Sequence, residues 1–320
     1  MLLAGIDIGT LTCRLLIGRV SAEGRLTEVH ADRRILRLGE GVDRDHLLRP
    51  AAMARALETL RDWRSVITKH QVDGYIAVAT SAVRNARNRE EFLGRVKQEI
   101  GFDVEVLSGE EEARRTMLGI RSGLPAGVTN ILGLDIGGGS TEFILDRPGH
   151  APVIRSIEIG VVRLTERLLT SDPPTADQIQ SARELIQKET EQIRTMLGEL
   201  DGTTLVGTAG SITTLAAMAQ KLPAYEPARI HNYRLGLETI RGLERELLGL
   251  TKAQRRGMPG LEAGREDVVV AGTLILRGVM ETLGFTEGLV SDVGLREGVL
   301  LDLAERLRRS TQPSAVSRQL

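Results

Sequence analysis

The string Asp135-Ile136-Gly137-Gly138-Gly139-Ser140-Thr141-Glu142 sets a carboxylate at each end of three consecutive glycines. Unhindered N–H groups, and the freedom of glycine at positive φ, suit a turn that wraps phosphate oxygens as a nest. The flanking Asp135 and Glu142 can hold a hard divalent cation directly or through water. Part of the same pattern recurs at Gly5-Ile6-Asp7-Ile8-Gly9-Thr10, and the two stretches stay in register for about a dozen positions when Asp7 is aligned with Asp135. A second small-residue loop, Val206-Gly207-Thr208-Ala209-Gly210-Ser211, leads from a strand into a helix start, which is a ready anion site; its alternative is a tight turn with a serine cap. No Gly-Lys dipeptide occurs, so a Walker-type loop is excluded.

Two further strings bring acids, hydroxyls and an arginine. In Ser108-Gly109-Glu110-Glu111-Glu112-Ala113-Arg114, Ser108 and Glu111 match a capping box, which gives Glu111 a structural role. Three acids exceed the need of a cap, and one of them at a cleft mouth can act as general base. In Ala79-Thr80-Ser81-Ala82-Val83-Arg84, two hydroxyls and Arg84 follow a buried strand, at the carboxyl end where α/β sheets bind ligands. Arg87 and Arg89 extend the positive charge; the alternative is a solvated helix start. The five histidines have no metal-ligand spacing, and no role is assigned to them.

These residues need elements to position them. Strands are predicted at 2–8, 13–20 and 26–37, then a helix on the Met53, Leu57, Leu60, Trp63, Ile67 stripe, a strand at 75–79, a helix at 89–100, a strand at 104–107 and a helix at 110–120. The second half repeats the order, with strands near 130–136, 141–146, 152–159 and 204–206, and a long helix at 176–198 capped by Thr175 and Gln178. Helices at 161–169, 211–219, 236–248 and 266–283, a strand at 289–290 and a last helix at 295–307 follow. The prediction is two related α/β domains, 1–124 and 125–309, across a shared cleft, with room for the last helix to pack back on the first domain and with 310–320 as a disordered tail.

Composition sets outer limits. The chain has 320 residues, 41% apolar and 27% charged, with a formal net charge of −1. No global field gathers polyanions, so an anionic substrate must be held by local donors, and neither nucleic acid nor membrane is an expected partner. Cys13 is the single cysteine, which excludes an intrachain disulfide and fits a cytoplasmic location.

Taken together, these strings resemble the exopolyphosphatase and guanosine-pentaphosphate phosphohydrolase family, short two-domain form, within the actin, Hsp70 and sugar-kinase superfamily. The resemblance spans roughly residues 3–308 and adds Arg265-Glu266-Asp267 and Ser291-Asp292-Val293-Gly294-Leu295-Arg296-Glu297-Gly298. It implies two RNase H-like domains, hydrolysis of a terminal phosphoanhydride of inorganic polyphosphate or of guanosine pentaphosphate, and Mg²⁺ or another divalent cation. By resemblance Glu112 is the catalytic glutamate, with Glu142 beside it, and Asp7, Asp135 and Glu142 face the metal. Substrate contacts fall on Thr10, Thr12, Thr80, Ser81, Arg84, Gly137, Gly138, Gly139, Ser140, Gly207, Thr208, Gly210, Ser211 and Arg265. Arg265 is expected to pair with Glu112 when no substrate is bound. A homodimer is compatible with the resemblance. One departure stands out, since Leu11 occupies a position where the family carries an asparagine. A lost charge-assisted contact there corresponds to about 1.5–3 kcal/mol. Three rivals follow: guanosine-pentaphosphate hydrolysis on the same site, a kinase of the same superfamily, and a sensor that binds guanosine tetraphosphate or polyphosphate without turnover.

Overall fold

The computed structural model describes residues 1–311. The tail expected at 310–320 lies outside the described residues from 312 onward; Ser310 and Thr311 still belong to the last helix. Along the chain the strands are β1 (Leu2–Ile8), β2 (Thr12–Val20), β3 (Leu26–Ile35), β4 (Gly74–Ala79), β5 (Val104–Val106), β6 (Ile131–Ile136), β7 (Thr141–Asp146), β8 (Val153–Ile157), β9 (Thr204–Thr208), β10 (Arg234–Gly236) and β11 (Glu287–Val290). The helices are α1 (Val42–Asp45), α2 (Pro50–His70), α3 (Ser81–Asn85), α4 (Arg89–Ile100), α5 (Gly109–Gly123), α6 (Val161–Leu168), α7 (Ala176–Leu197), α8 (Ala209–Ala219), α9 (Pro227–Ile230), α10 (Leu237–Leu248), α11 (Lys252–Arg255), α12 (Val269–Leu283) and α13 (Leu295–Thr311).

The strands form two sheets of one design. The first has the order β3-β2-β1-β4-β5 and the second β10-β11-β9-β6-β7-β8. In each, an antiparallel three-strand meander joins a parallel pair through its first strand. The second sheet therefore repeats the first, with β10 added at its edge. This three-residue strand is the one element of the sheets with no forecast in the sequence, since the helix start expected at 236 claimed its end.

Each sheet is covered on both faces. On the first, α2 and α4 bury Met53, Leu57, Leu60, Trp63 and Phe92 against Ile6, Ile8 and Leu15. On the second, α7, α8, α10 and α12 build the larger core. The long helix α7 opens on the expected capping box, with Thr175 and Gln178 bonded both ways. At α5 only half of such a box forms. Ser108 Oγ accepts from the Glu111 N–H, while the Glu111 carboxylate turns to Arg114 and Arg115.

The remaining two faces are covered by exchange. Helix α5, which follows the first sheet in sequence, packs Ala113, Met117 and Ile120 on Ile131, Ile144 and Val206 of the second. Helix α13, which follows the second sheet, packs Leu300 and Ala304 on Leu3 and Leu16, and Val299 on Val78, of the first. The two helices cross backbone to backbone. A Cβ added at Gly298 would stand 1.7 Å from the Arg115 carbonyl oxygen, and one at Gly119 1.8 Å from that of Gly294. No helix among the described residues is long and apolar enough to cross a membrane.

Candidate active site

The β1–β2 and β6–β7 hairpins point their turns at each other across the cleft between the sheets. They touch: a Cβ at Gly138 would lie 2.8 Å from Thr10 Cβ, and one at Gly139 2.5 Å from Ser81 Oγ. The glycines thus allow close approach of the two halves. None of Gly137, Gly138 or Gly139 has positive φ, so the nest expected from the sequence is not formed. The left-handed residue at the site is instead Ala209, with φ 71, in the β9–α8 turn. A non-glycine residue held there stores local strain of the kind seen at ligand sites.

What the turns offer is free amide hydrogen. The N–H groups of Thr10, Leu11, Gly138 and Gly139 meet no acceptor among the described residues, whereas several turn carbonyls are tied up behind. Thr10 O and Leu11 O accept from Gly39, Leu36 and Arg37, and Gly137 O and Gly138 O from Val161 and Val162. Two helix starts face the same space. Neither α3 nor α8 has a side-chain cap, and Thr80, Ser81, Ala209, Gly210 and Ser211 line the cavity. Unsatisfied N–H groups at a helix start draw anions.

The cavity, about 60 Å³, is also lined by Asp7, Thr10, Leu11, Thr12, Arg14, Glu112, Asp135, Gly137, Gly138, Gly139, Ser140 and Arg265. Most of the residues singled out in the sequence are therefore brought together. Four are not on its wall. Arg84 stands behind Glu112, to which Nη1 donates at 3.0 Å. Glu142 is buried behind Asp135 and accepts from Ser156 at 2.8 Å. Gly207 is a strand residue against Ile212, and Thr208 donates to Val293 O at 3.1 Å.

Two expected pairings differ. Glu112 is held by Arg84, while Arg265 donates to Glu262 at 2.7 Å and Thr12 Oγ1 at 3.3 Å. Gly210 leaves the room for this guanidinium, since a Cβ there would meet it at 2.2 Å. Leu11 has no polar contact to make. Its side chain is 4% exposed and belongs to the apolar core of the second sheet. The family's asparagine is thus replaced by a peg between the halves.

The sequence reading missed Arg14. In the hairpin registers Asp135 faces Glu142 and Asp7 faces Arg14. Extending the alignment of the two strings to Glu142 would have reached Arg14, because the repeat keeps its register that far. Arg14 Nη1 lies 3.4 Å from Asp7 Oδ2. One copy of the motif therefore pairs acid with base, and the other acid with acid.

Four buried carboxyls, Asp7, Glu112, Asp135 and Glu142, meet around this point. Burial raises all four above the ordinary range. It pushes Glu112 to about 8, opposed by Arg84 and reinforced by Asp135 and Asp7. It pushes Asp135 to about 6, opposed by Arg14 and reinforced by Asp7. Glu142 rises well above its usual value through burial and then Glu112 and Asp135. Asp7 rises through burial against the pull of Arg14.

Such a cluster asks for positive charge. Asp7 Oδ1 and Glu142 Oε2 are buried without a hydrogen-bond partner. Asp7, Asp135 and Glu142 do not close into one ligand set, and no three such side chains do among the described residues. Mg²⁺ does not need that, because it keeps several waters and takes one or two carboxylates together with substrate phosphate oxygens. The donor set fits such an ion.

Two duplicated lobes of the actin-like type, with acids and free amides facing a closed cleft, define a class of phosphoryl-handling proteins. Residues 16–307 match the Ppx/GppA phosphatase family, and the chain belongs to it. It is 37% identical over 316 residues to exopolyphosphatase 2 of Mycobacterium tuberculosis, covering 94% of this chain and 98% of that one. It is 30% identical over 306 residues to the guanosine-5′-triphosphate,3′-diphosphate pyrophosphatase of Aeromonas hydrophila, covering 94% and 59%. Among solved structures, an exopolyphosphatase from Cytophaga hutchinsonii superposes with a TM-score of 0.86 at 29% identity, covering 96% and 98%. The Ppx/GppA family member of Aquifex aeolicus does so at 0.81 and 32%, covering 98% and 99%.

Proposed function

We propose that the chain is an exopolyphosphatase that hydrolyses the terminal phosphoanhydride of inorganic polyphosphate and releases orthophosphate. The observation that carries this reading is the meeting of buried acids and free turn amides from both halves in one small cavity. Glu112 is the general base. Burial raises its pKa to about 8, so its ionised form, populated as the pH rises toward that value, is basic enough to take a proton from an attacking water, and Arg84 keeps the carboxyl aimed. The N–H groups of Thr10, Leu11, Gly138 and Gly139, the starts of α3 and α8, and Arg265 hold the non-bridging oxygens and stabilise charge that develops in the transition state. Thr12, Ser140 and Ser211 add hydroxyls. Asp7, Asp135 and Glu142 would hold a divalent cation such as Mg²⁺, which would supply charge neutralisation at the phosphoryl oxygens. Buried Cys13, with no disulfide partner, supports a cytoplasmic site of action.

Guanosine-pentaphosphate hydrolysis on the same site is favoured by one further observation. A second cavity of about 320 Å³ adjoins the first through Arg14, Asp135, Ala209, Gly210 and Leu295. It carries Tyr225 with the Arg33 guanidinium 4.9 Å from its ring, room and chemistry for a nucleoside.

Phosphate release with Mg²⁺ from polyphosphate and from guanosine pentaphosphate, with no acceptor added, tests these readings together. Release from polyphosphate is expected. Release from the nucleotide alone would reassign the substrate. Binding without release would make the chain a sensor, and transfer of the terminal phosphoryl group onto an added acceptor, with no orthophosphate formed without it, a kinase.

A further inference from the structure

Helix α6 presents two arginines one turn apart, and both converge on a single acid of the opposite half, Asp43 of α1. Arg167 grips the carboxylate with two bonds of 2.7 and 3.0 Å, and Arg163 Nε stands 3.3 Å from Oδ1. Two planar guanidinium groups closing on the oxygens of one anion is the geometry of a phosphate site, here filled by a side chain. Arg163 Nε is buried and forms no well-aligned hydrogen bond, so the carboxylate fills the site imperfectly. The other partner of Arg163 is Glu158 at 2.5 Å, a half-exposed acid whose pairing contributes little.

The place of this pair matters. A small pocket lined by Asp43 and Arg163 adjoins the reaction cavity and shares Thr10, Ser81 and Gly139 with it. The reaction cavity has room for a terminal phosphoryl group, so the rest of a chain must pass out of it; with Asp43 and Glu166 in its wall this pocket holds only about 10 Å³, and withdrawal of Asp43 would widen it toward Arg163. Asp43 sits on a segment that is held under tension. Arg37 and His46, on either side of it, both have φ 53, a conformation non-glycine residues rarely adopt. Such a segment gives way more readily than a relaxed one.

We infer that Arg163 and Arg167 form a second phosphate subsite, which holds the polyphosphate chain behind the terminal group, and that Asp43 occupies it as an internal substitute until the chain displaces it. The inference rests on the reading of the substrate as polyphosphate.

Steady-state kinetics on tripolyphosphate and on long-chain polyphosphate test it, with turnover of tripolyphosphate showing that each variant is folded. In Arg167→Gln the ratio of kcat/KM for the long chain over that for tripolyphosphate is expected to fall about tenfold, the size of one lost charge-assisted contact. The salt dependence of long-chain KM should weaken by about one phosphate contact. In Asp43→Asn, which removes the competitor, the same ratio is expected to rise. Ratios that stay at the wild-type value in both variants, or fall in both, overturn the subsite while leaving the exopolyphosphatase reading intact. A wild-type protein that releases no phosphate from either polymer overturns both.

Discussion

Glu112→Gln exchanges a buried carboxyl for an amide of the same shape, and its effects on activity and on stability run in opposite directions. In the folded protein the carboxyl titrates at about 8 against an ordinary 4.5, chiefly because burial disfavours its charged form. Each pKa unit corresponds to about 1.36 kcal/mol, so the ionised group opposes folding by roughly 5 kcal/mol. Between 4.5 and 8 the folded chain keeps a proton that the unfolded chain has lost. Wild-type stability therefore declines as pH rises through that window and levels off above it. Glutamine carries no such dependence, and Arg84 keeps a partner in Leu107 O at 2.8 Å. Thermal or urea unfolding across pH is expected to show the variant more stable than the wild type at about pH 9, with the advantage shrinking toward acid. Over the same series phosphate release falls by about 10²- to 10⁴-fold. A variant that unfolds more easily than the wild type at alkaline pH, or that turns over at a near-normal rate, would refute the reasoning.

Arg84→Gln removes the neighbour that lowers the Glu112 pKa, so the acid limb of the pH–rate profile should move to higher pH; an unmoved limb would show that another group is the base. Mg²⁺ competes with protons for the raised carboxyls, so the melting-temperature gain it gives should be larger at about pH 8 than at about pH 6. A gain independent of pH would place the ion away from Asp7, Asp135 and Glu142. Gly298→Ala drives a methyl group into the Arg115 carbonyl and should destabilise by about 3 kcal/mol or more, seen as loss of soluble protein or a large fall in melting temperature. Leu11→Asn restores the family residue but buries an amide in the second core. A loss of about 1–3 kcal/mol with no gain in substrate affinity is expected, and tighter binding would show that the asparagine's lost contact matters more than the packing.

The duplicated α/β architecture was legible because the Asp7 and Asp135 hairpins share a pattern of strand, acid, small turn and strand, and local periodicity marks the long helices that follow, though not the short α1, α3, α9 and α11. Helix exchange was only partly legible. The sequence reading let the last helix pack back on the first domain, as α13 does, but periodicity gave α5 only an apolar stripe and did not assign it to the opposite sheet. At the site, residue type pointed to the acids of the 110–112 run and to the small-residue turns, since their chemistry is local, and the family resemblance singled out Glu112. Partners were harder: Glu112 finds Arg84 and not Arg265 because side-chain reach across the cleft depends on tertiary placement. The glycines of the second turn illustrate the same limit. Gly138 and Gly139 are required by the nearness of Thr10 and Ser81, from the other half of the chain, and a string of glycines cannot tell close approach from positive φ.

The exchanged helices carry a consequence for how such a cleft arises. A half-length chain folded as one lobe would leave one face of its sheet bare, and two copies trading their last helices would cover both, rebuilding the cleft with a two-fold axis through the α5–α13 crossing. In such a pair every substitution falls on both sides at once, so the two hairpins must carry identical charges. Joining the copies into one polypeptide releases that constraint. The opposition of Asp7 and Arg14 on one side to Asp135 and Glu142 on the other is a division of labour that two identical copies could not encode.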